Sequence, residues 1–346
     1  MYAEDWTEEK LEELEKKIAK IYKQASDELT QKAAEYFAEF ENYRFQKEYE
    51  AHLNGAYTKT EFANWMISQI GRGQRWETLR DAMAKRLTEV SQVAASYIND
   101  YTPGIYSLNA NFEAFIAEGS HEQASFVLVN EEAVKRLIVE NPRVLPKRKV
   151  NVEKDKKWNE EKIQNELTQA VLQGEPTSKL ADRFVKVVGM SKASAIRNAR
   201  TAVTNAQNGG TYNTSLKAYE MGLPIKNVWR ATKDLNTRPS HRRIDGEEVE
   251  PGEKFSNGLR FPGDMDGEPS EVYGCRCALV TKDRIQVEQN KMRVGNPEYL
   301  ALGKDENERK KKQREIEKTT GRYIPKSVVV NEMNYKEWYK WKSKYA

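Results

Sequence analysis

Apolar residues recur at steps of three and four over the first forty positions, which is the spacing of one helix face. The stripe consists of Leu11, Leu14, Ile18, Ile21, Ala25, Leu29, Ala33, Tyr36 and Phe40, and mostly Glu and Lys occupy the other faces. It predicts a helix of about 40 residues over positions 6–45. A helix this long needs helical partners, which the periodicity of residues 61–70 and 76–101 supplies. We expect Pro103-Gly104 to end this bundle.

Residues 105–154 form a mixed region without a clear period. Its last part, residues 142–155, is basic and contains proline, so we interpret it as an extended connector; the alternative is a surface loop within one domain. Helical spacing returns over residues 158–172 and again from Thr177 or Ser178. Ser191 is placed to cap a further helix that ends at Gly222.

After Pro224 the pattern changes to short strands and turns. Residues 225–232 and 275–281 are predicted strands, and Asp245-Gly246 is a hairpin signal. We expect Trp229, Phe255 and Phe261 to form the apolar centre of this region. The fold class is therefore α+β: mainly helical with long N-terminal helices, plus a small loop-rich α+β module with short antiparallel strands. The predicted domains are a long-helix arm or bundle (1–104), the mixed connector (105–154), the α+β module (155–285) and a basic tail (286–346).

Composition excludes several classes of protein. With 32% charged and 38% hydrophobic residues and a mean hydropathy of −0.86, the chain favours long solvated helices over one thick core. No apolar stretch approaches the ~18 residues of a membrane span, and the acidic N-terminus does not resemble a signal peptide. We therefore expect a protein made in a reducing cytoplasm with no membrane partner. Two cysteines, Cys275 and Cys277, cannot form a disulfide scaffold.

The basic surplus lies towards the C-terminal end. Residues 281–346 contain 17 Lys and Arg against 10 Asp and Glu. One hypothesis is weak DNA contact without sequence preference, through phosphate neutralisation and stacking on exposed bases. In the alternative, the basic run is a solvated helix, and the aromatic residues form a face that packs on the protein itself or on a neighbour. The candidate residues are Arg309, Lys310, Lys311 and Lys312 for the charge, and Tyr335, Trp338, Tyr339, Trp341 and Tyr345 for the stacking.

Residues suited to chemistry are concentrated between Trp229 and Cys277. A Trp is followed by an Asp, by Thr-Arg-x-x-His, by an Asp-Gly turn, by a Pro-Gly-Asp loop and by Cys-Arg-Cys. Over residues 155–282 this order resembles the phage Mu F-like minor head proteins, also called phage head morphogenesis proteins. The residues that carry the motif are Trp229, Asp234, Arg238, His241, Gly246, Pro262, Gly263, Cys275 and Cys277. This sequence differs from the family's usual Ala-Arg-Thr-Glu, because Ala202 takes the place of the Glu after Thr201. The role of that Glu is therefore not carried over to this chain.

Asp234, His241, Cys275 and Cys277 together offer the oxygen, nitrogen and sulfur ligands that suit zinc. Two residues spaced by one position on a strand also point to the same side. Structural zinc sites, however, usually separate their cysteines by two or more residues. The interpretation we favour is a polar network of Asp234, Arg238 and His241 beside two buried, reduced cysteines, with no cofactor; zinc is the alternative.

We predict that the chain is not an enzyme. A hydrolytic Cys–His centre needs an orienting group and an oxyanion hole, and no such signature is present among the three histidines, His52, His121 and His241. The resemblance implies a minor capsid protein that associates with the portal protein during head assembly. It implies a place inside the virion head near the portal vertex, a role in DNA packaging or ejection, and capsid or scaffolding protein and packaged DNA as further partners. The alternatives are a DNA-binding ejection protein and a metal-dependent nuclease acting on phage DNA.

Overall fold

The structure is a computed structural model. It describes residues 3–38, 58, 61, 64, 68, 74–121, 124–173, 180–232, 236–282, 291–303, 306–320, 322–325, 327–331 and 335–343. The chain divides into two compact units. Unit 1 comprises Met1–Glu12, Asn99–Lys147 and Arg200–Ala346, and unit 2 comprises Glu13–Ile98 and Arg148–Ala199. The domain boundaries at residues 104, 154 and 285 stay predictions.

Long helices dominate the described residues, and the prediction of a mainly helical α+β protein is confirmed. The helices are α1 (Ala3–Ala38), α2 (Gln74–Ser120), α3 (Glu131–Glu140), α4 (Val152–Leu172), α5 (Leu180–Glu220), α6 (Pro239–Arg243), α7 (Pro269–Val272), α8 (Pro297–Leu300), α9 (Glu306–Thr320) and α10 (Tyr335–Lys342). The strands are β1 (Lys226–Arg230), β2 (Glu248–Val249), β3 (Ala278–Lys282), β4 (Lys291–Gly295) and β5 (Ser327–Asn331). None of the helices in the described part of the chain combines the length and apolarity needed to cross a membrane.

Unit 2 is held together by the apolar stripe of α1. Its side chains are at most 1% exposed at Leu14, Ile18, Tyr22, Ala25, Leu29, Ala33 and Phe37. Phe37 stacks on Phe184 of α5 with 6.1 Å between ring centroids, and Trp76 of α2 donates to Gln164 of α4 over 2.8 Å. The chain's own helices therefore cover this stripe. Residues 39–45 and most of 61–70 lie outside the described residues.

Two predicted helix ends are wrong. Helix α2 continues through Pro103, and α5 continues through Gly189 and Ser191. Proline inside a helix costs about 3 kcal/mol and glycine about 1 kcal/mol, and burial next to each position offsets that cost. Ile105 is only 2% exposed two residues beyond Pro103, and Val187 is fully buried two residues before Gly189. The predicted cap at 177–178 lies outside the described residues.

The sheet of unit 1 has the order β2-β1-β3, with both pairs antiparallel. Val228 of β1 faces Val280 of β3 in the register, so strands are confirmed within the predicted ranges 225–232 and 275–281. The prediction that Cys275 and Cys277 lie on the second strand is wrong, because β3 begins at Ala278. Trp229, Phe255 and Phe261 share one buried cluster, as predicted for the apolar centre. A second antiparallel pair is formed by β4 and β5.

The C-terminal helix α10 packs onto unit 1 through Trp338, which is fully buried. Its indole ring lies 5.5 Å from the ring of Phe115 in α2, and its Nε1 donates to the carboxylate of Glu118 over 3.1 Å. Of the two interpretations of the tail aromatics, the structure favours packing on the protein itself at this position. The side chains of Tyr335, Trp341 and Tyr345 lie outside the described part.

Candidate functional site

The structure brings three of the predicted site residues together in unit 1. His241 lies in α6, and Cys275 and Cys277 lie in the extended segment that leads into β3. Nδ1 of His241 is 3.6 Å from Sγ of Cys275 and 3.5 Å from Sγ of Cys277. The three side chains are at most 3% exposed, and both cysteines are free thiols. The arrangement is a closed cluster of one imidazole and two sulfur atoms.

The second nitrogen of His241 faces a carboxylate that the sequence did not single out. Nε2 lies 2.8 Å from Oε2 of Glu271 in α7, at an angle outside hydrogen-bond geometry, so the contact is electrostatic. The Glu271 carboxylate also accepts a hydrogen bond from Oγ of Ser240 over 2.9 Å. Glutamate is common in solvated turns, and only the folded chain shows that this one reaches the histidine.

An aromatic wall closes one side of the cluster. The ring of Trp229 meets the ring of His241 edge to face, with 5.0 Å between centroids, and it meets Phe255 in the same way at 5.2 Å. Trp229 is fully buried in β1. Water therefore has little access to the histidine from this side.

The two thiols are unequal in their proton affinity. A hydrogen bond from Cys275, with a further contribution from His241, lowers the pKa of Cys277. The neighbouring Cys277 thiolate together with burial raises the pKa of Cys275. The pair therefore releases one proton much more readily than two, because two anionic sulfurs this close repel each other unless a cation lies between them.

Polar side chains on α5 hold the backbone of the cysteine segment. Thr204 donates to the carbonyl of Cys275 over 3.0 Å, and Nδ2 of Asn208 donates to the carbonyl of Cys277 over 3.1 Å. Oδ1 of Asn208 accepts from the backbone N–H of Leu279 over 2.7 Å. Sequence reasoning missed these residues, since buried Asn and Thr in a helix have the same local pattern as solvated ones.

The Pro262-Gly263 loop is fixed against the same helix. Asn208 and Asn205 donate to the carbonyls of Pro262 and Gly263, each over 2.9 Å. Gly263 has φ +83°, and a Cβ at this position would lie 3.1 Å from the backbone nitrogen of Asn205. Glycine is therefore required here both for its left-handed conformation and for the close approach of the helix.

An ion pair flanks this loop, with the Asp264 carboxylate buried and the Arg260 side chain 32% exposed. Arg260 donates to both carboxylate oxygens of Asp264 over 2.8 and 2.7 Å, and Asp264 is 2% exposed. Burial alone raises the pKa of Asp264, but the hydrogen bonds from Arg260 outweigh it, and the net pKa lies below its ordinary value. This bidentate pair stabilises the loop and is independent of the His–Cys cluster.

The remaining predicted motif residues lie around the cluster rather than in it. Gly246 has φ +84°, and its N–H donates to the carbonyl of Trp229 over 2.8 Å. Arg238 donates to the carbonyl of Tyr273. Asp234 lies outside the described residues, so its place in a polar network or a ligand set stays a prediction.

The predicted DNA-contact residues lie on α9, and two of them have partners close by in the chain. Lys312 forms an ion pair with Glu308 over 2.9 Å, and Nε of Arg309 donates to the carbonyl of Gly303 over 2.8 Å. Lys310 and Lys311 are exposed, so this part of α9 presents positive charge on the surface.

Comparison with known proteins gives one family and two relatives. Residues 161–280 match the family described as Phage Mu protein F like protein. The chain is 25% identical over 275 residues to Minor head protein GP7 of Bacillus phage SPP1, covering 78% of this chain and 85% of that protein. It is 32% identical over 120 residues to the NAD(+)--arginine ADP-ribosyltransferase EFV of Enterococcus faecalis (strain ATCC 700802 / V583), covering 34% of this chain and 25% of the transferase. No solved structure shows a significant match.

Proposed function

We propose that this chain is a minor head protein that joins the portal protein during assembly of a phage head, since its residues 161–280 match the family described as Phage Mu protein F like protein. The observation that carries the proposal is the extent of the similarity to a minor head protein, which covers 85% of that protein and 78% of this chain. The similarity to this minor head protein therefore extends well beyond residues 161–280, which match the family. The proposed location is the inside of the virion near the portal vertex, with capsid or scaffolding protein as a further partner.

Co-purification tests this proposal. The tagged portal protein of the same phage, produced together with this chain, is expected to retain the full-length chain at a fixed ratio through affinity and size-exclusion steps. An unrelated tagged oligomer of similar size is the control. A chain that is absent both from the portal complex and from purified heads would contradict the proposal.

We propose no enzymatic role for the chain. The similarity to the ADP-ribosyltransferase spans only a quarter of that protein, and it does not carry that protein's activity to this chain. A metal-dependent nuclease needs a metal that a phosphodiester can reach, whereas His241, Cys275 and Cys277 are at most 3% exposed. Incubation with labelled NAD and an arginine-containing acceptor, and separately with duplex DNA and Mg²⁺, is expected to give no product. Turnover in either assay would contradict this part of the proposal.

A second candidate function is weak DNA binding through α9 during packaging or ejection. The surplus of positive charge in residues 281–346 and the exposure of Lys310 and Lys311 favour it. The buried Trp338 is not available to stack on bases, so we expect an electrostatic contact without stacking at that residue. Each neutralised phosphate contributes about 0.9 to the slope of log K against log salt concentration.

Salt titration tests this second function. The double variant K310Q/K311Q is expected to lower the slope of log K for duplex DNA against log salt concentration by about 2 relative to the unchanged chain. The charge-matched control K20Q/K23Q removes two exposed lysines of α1 and should leave the slope unchanged. Equal slopes for both double variants would refute contact through α9.

A further inference from the structure

We propose that His241, Cys275 and Cys277 bind one zinc ion, with Nδ1 of the histidine and the two sulfur atoms as ligands. The inference is independent of the head-assembly role. The three candidate ligand atoms lie within 4.8 Å of one another. Among the described residues, these three side chains form the group of His, Cys, Asp or Glu that could hold a metal ion. The residues come from two segments 34 positions apart, so the fold, and not local sequence, brings them together.

The two nitrogen–sulfur separations in the cluster fit a tetrahedral zinc ion. With Zn–S bonds of about 2.3 Å and Zn–N bonds of about 2.0–2.1 Å, a tetrahedral angle places nitrogen and sulfur about 3.6 Å apart. The observed separations of Nδ1 from the two sulfur atoms are 3.6 and 3.5 Å. Both sulfurs approach the same ring nitrogen, and neutral imidazole has a single lone pair there, so at most one S–H···N hydrogen bond can form. A shared cation satisfies all three atoms at once.

Glu271 places a carboxylate next to the second ring nitrogen of His241, the position at which zinc-bound histidines usually have one. Its Oε2 lies 2.8 Å from Nε2 of His241, which favours the proton on Nε2 and leaves the lone pair of Nδ1 towards the sulfurs. Histidine ligands of metals commonly donate their other N–H to a carboxylate, which fixes the tautomer and raises the basicity of the ligand. Ser240 in turn donates to this carboxylate. Glu271 is therefore a positioning residue and not a ligand.

Burial and ligand type indicate zinc and a structural role. Two thiolates and an imidazole select zinc over magnesium, calcium and manganese, which prefer oxygen ligands. The cluster is closed to substrates, since the most exposed of its three residues is 3% accessible. Zinc is four-coordinate in such sites, which leaves one position for a water molecule or an oxygen ligand.

The need for a cross-link follows from how little regular structure this part of unit 1 contains. Between β1 and β3, the described elements are α6, β2 and α7, with five, two and four residues. The proposed ion joins α6 to the segment that enters β3, directly beside the fully buried Trp229. Binding of zinc to such a site contributes directly to folding stability.

Metal analysis of the full-length chain tests the proposal. Protein purified under reducing conditions without chelators is expected to contain one zinc per chain. The variants C275S, C277S and H241A should each retain less than about a tenth of it. The matched control is H121A, which removes the other buried histidine of the described residues and should keep one zinc. The E271Q variant should bind zinc about 10–100-fold more weakly in competition with a chelator.

A measurement on the unchanged chain covers the case in which the ligand variants do not fold. The metal is removed with a chelator, and Zn²⁺ or Co²⁺ is then titrated back while the melting temperature and the visible spectrum are recorded. We expect saturation at one ion per chain, a rise in melting temperature, and a cobalt spectrum of a tetrahedral site with sulfur-to-cobalt charge transfer. A folded protein that takes up neither ion, or a C275S/C277S variant that keeps its zinc, would overturn the proposal and identify the cysteines as hydrogen-bonded thiols.

Discussion

The stability of this protein should depend on the ionisation of one buried carboxyl group, that of Glu113 in α2. Its side chain is buried, and its Oε1 accepts a hydrogen bond from Oγ1 of Thr281 in β3 over 2.7 Å. Burial raises the pKa of Glu113 to about 7 from an ordinary value of 4.5, and the hydrogen bond from Thr281 opposes this only in part. Between pH 4.5 and about 7, the folded chain therefore holds a proton that the unfolded chain has already released.

The sign and size of the effect follow from this difference in pKa. Between pH 4.5 and about 7 the unfolded state binds fewer protons than the folded state, so the free energy of unfolding falls as the pH rises. The contribution is fully present below pH 4.5 and is lost by about pH 7. At 1.36 kcal/mol per pKa unit, the loss amounts to about 3 kcal/mol. The E113Q variant keeps the size of the side chain and an acceptor for Thr281 but cannot ionise.

Chemical denaturation at a series of pH values measures this contribution. E113Q is expected to match the unchanged chain near pH 4.5 and to exceed it by about 3 kcal/mol at pH 8. The control is E140Q at an exposed position, whose stability should follow that of the unchanged chain across the range. A constant difference between E113Q and the unchanged chain at every pH would refute a raised pKa at Glu113.

Three further substitutions test the packing around the candidate site, each by the change in the free energy of unfolding. W229A should cost about 3–5 kcal/mol because it empties a fully buried position. The control W158A, at a half-buried position, should cost clearly less. Equal losses would contradict the central place of Trp229. N208A should cost about 2–6 kcal/mol, since Leu279 N–H and the Cys277 carbonyl lose a partner at about 1–3 kcal/mol each, and Q207A is its half-buried neighbour for comparison. G263A should cost more than G258A. The two glycines share φ near +82°, but only Gly263 lies against Asn205 of α5. Similar losses would show that the contact between Gly263 and α5 is unimportant.

Periodicity predicted helix faces well and helix ends poorly. The stripe of α1 is buried as expected at Leu14, Ile18 and Leu29, although Tyr22 and Phe37 point inward in place of Ile21 and Tyr36. The end predicted at Pro103 fails because local preferences of about 1–3 kcal/mol compete with the burial of a whole helix face. A local signal cannot report that burial, since it depends on helices that are distant in sequence.

Part of the candidate site is visible in the sequence. Thr-Arg-x-x-His and Cys-Arg-Cys contain His241, Cys275 and Cys277, whose side chains offer the nitrogen and sulfur ligands that suit zinc. Glu271, Asn205 and Asn208 belong to frequent residue types, and their roles arise only when α7 and α5 meet the cysteine segment. Sequence can therefore identify candidate ligands more readily than the residues that position them.

The C-terminal region keeps apart two sets of residues for which its sequence pattern suggested alternative roles. Glu118 is fully buried, and its carboxylate accepts from the indole N–H of Trp338 and, over 2.7 Å, from the backbone N–H of Phe126. One α2 side chain thus holds both the segment after α2 and the terminal helix, which assigns Trp338 to packing. Lys310 and Lys311 of α9 are exposed and are not part of this contact. The packing residue Trp338 and the lysines proposed to contact DNA are therefore different residues of the same region, and a variant can change one set without the other.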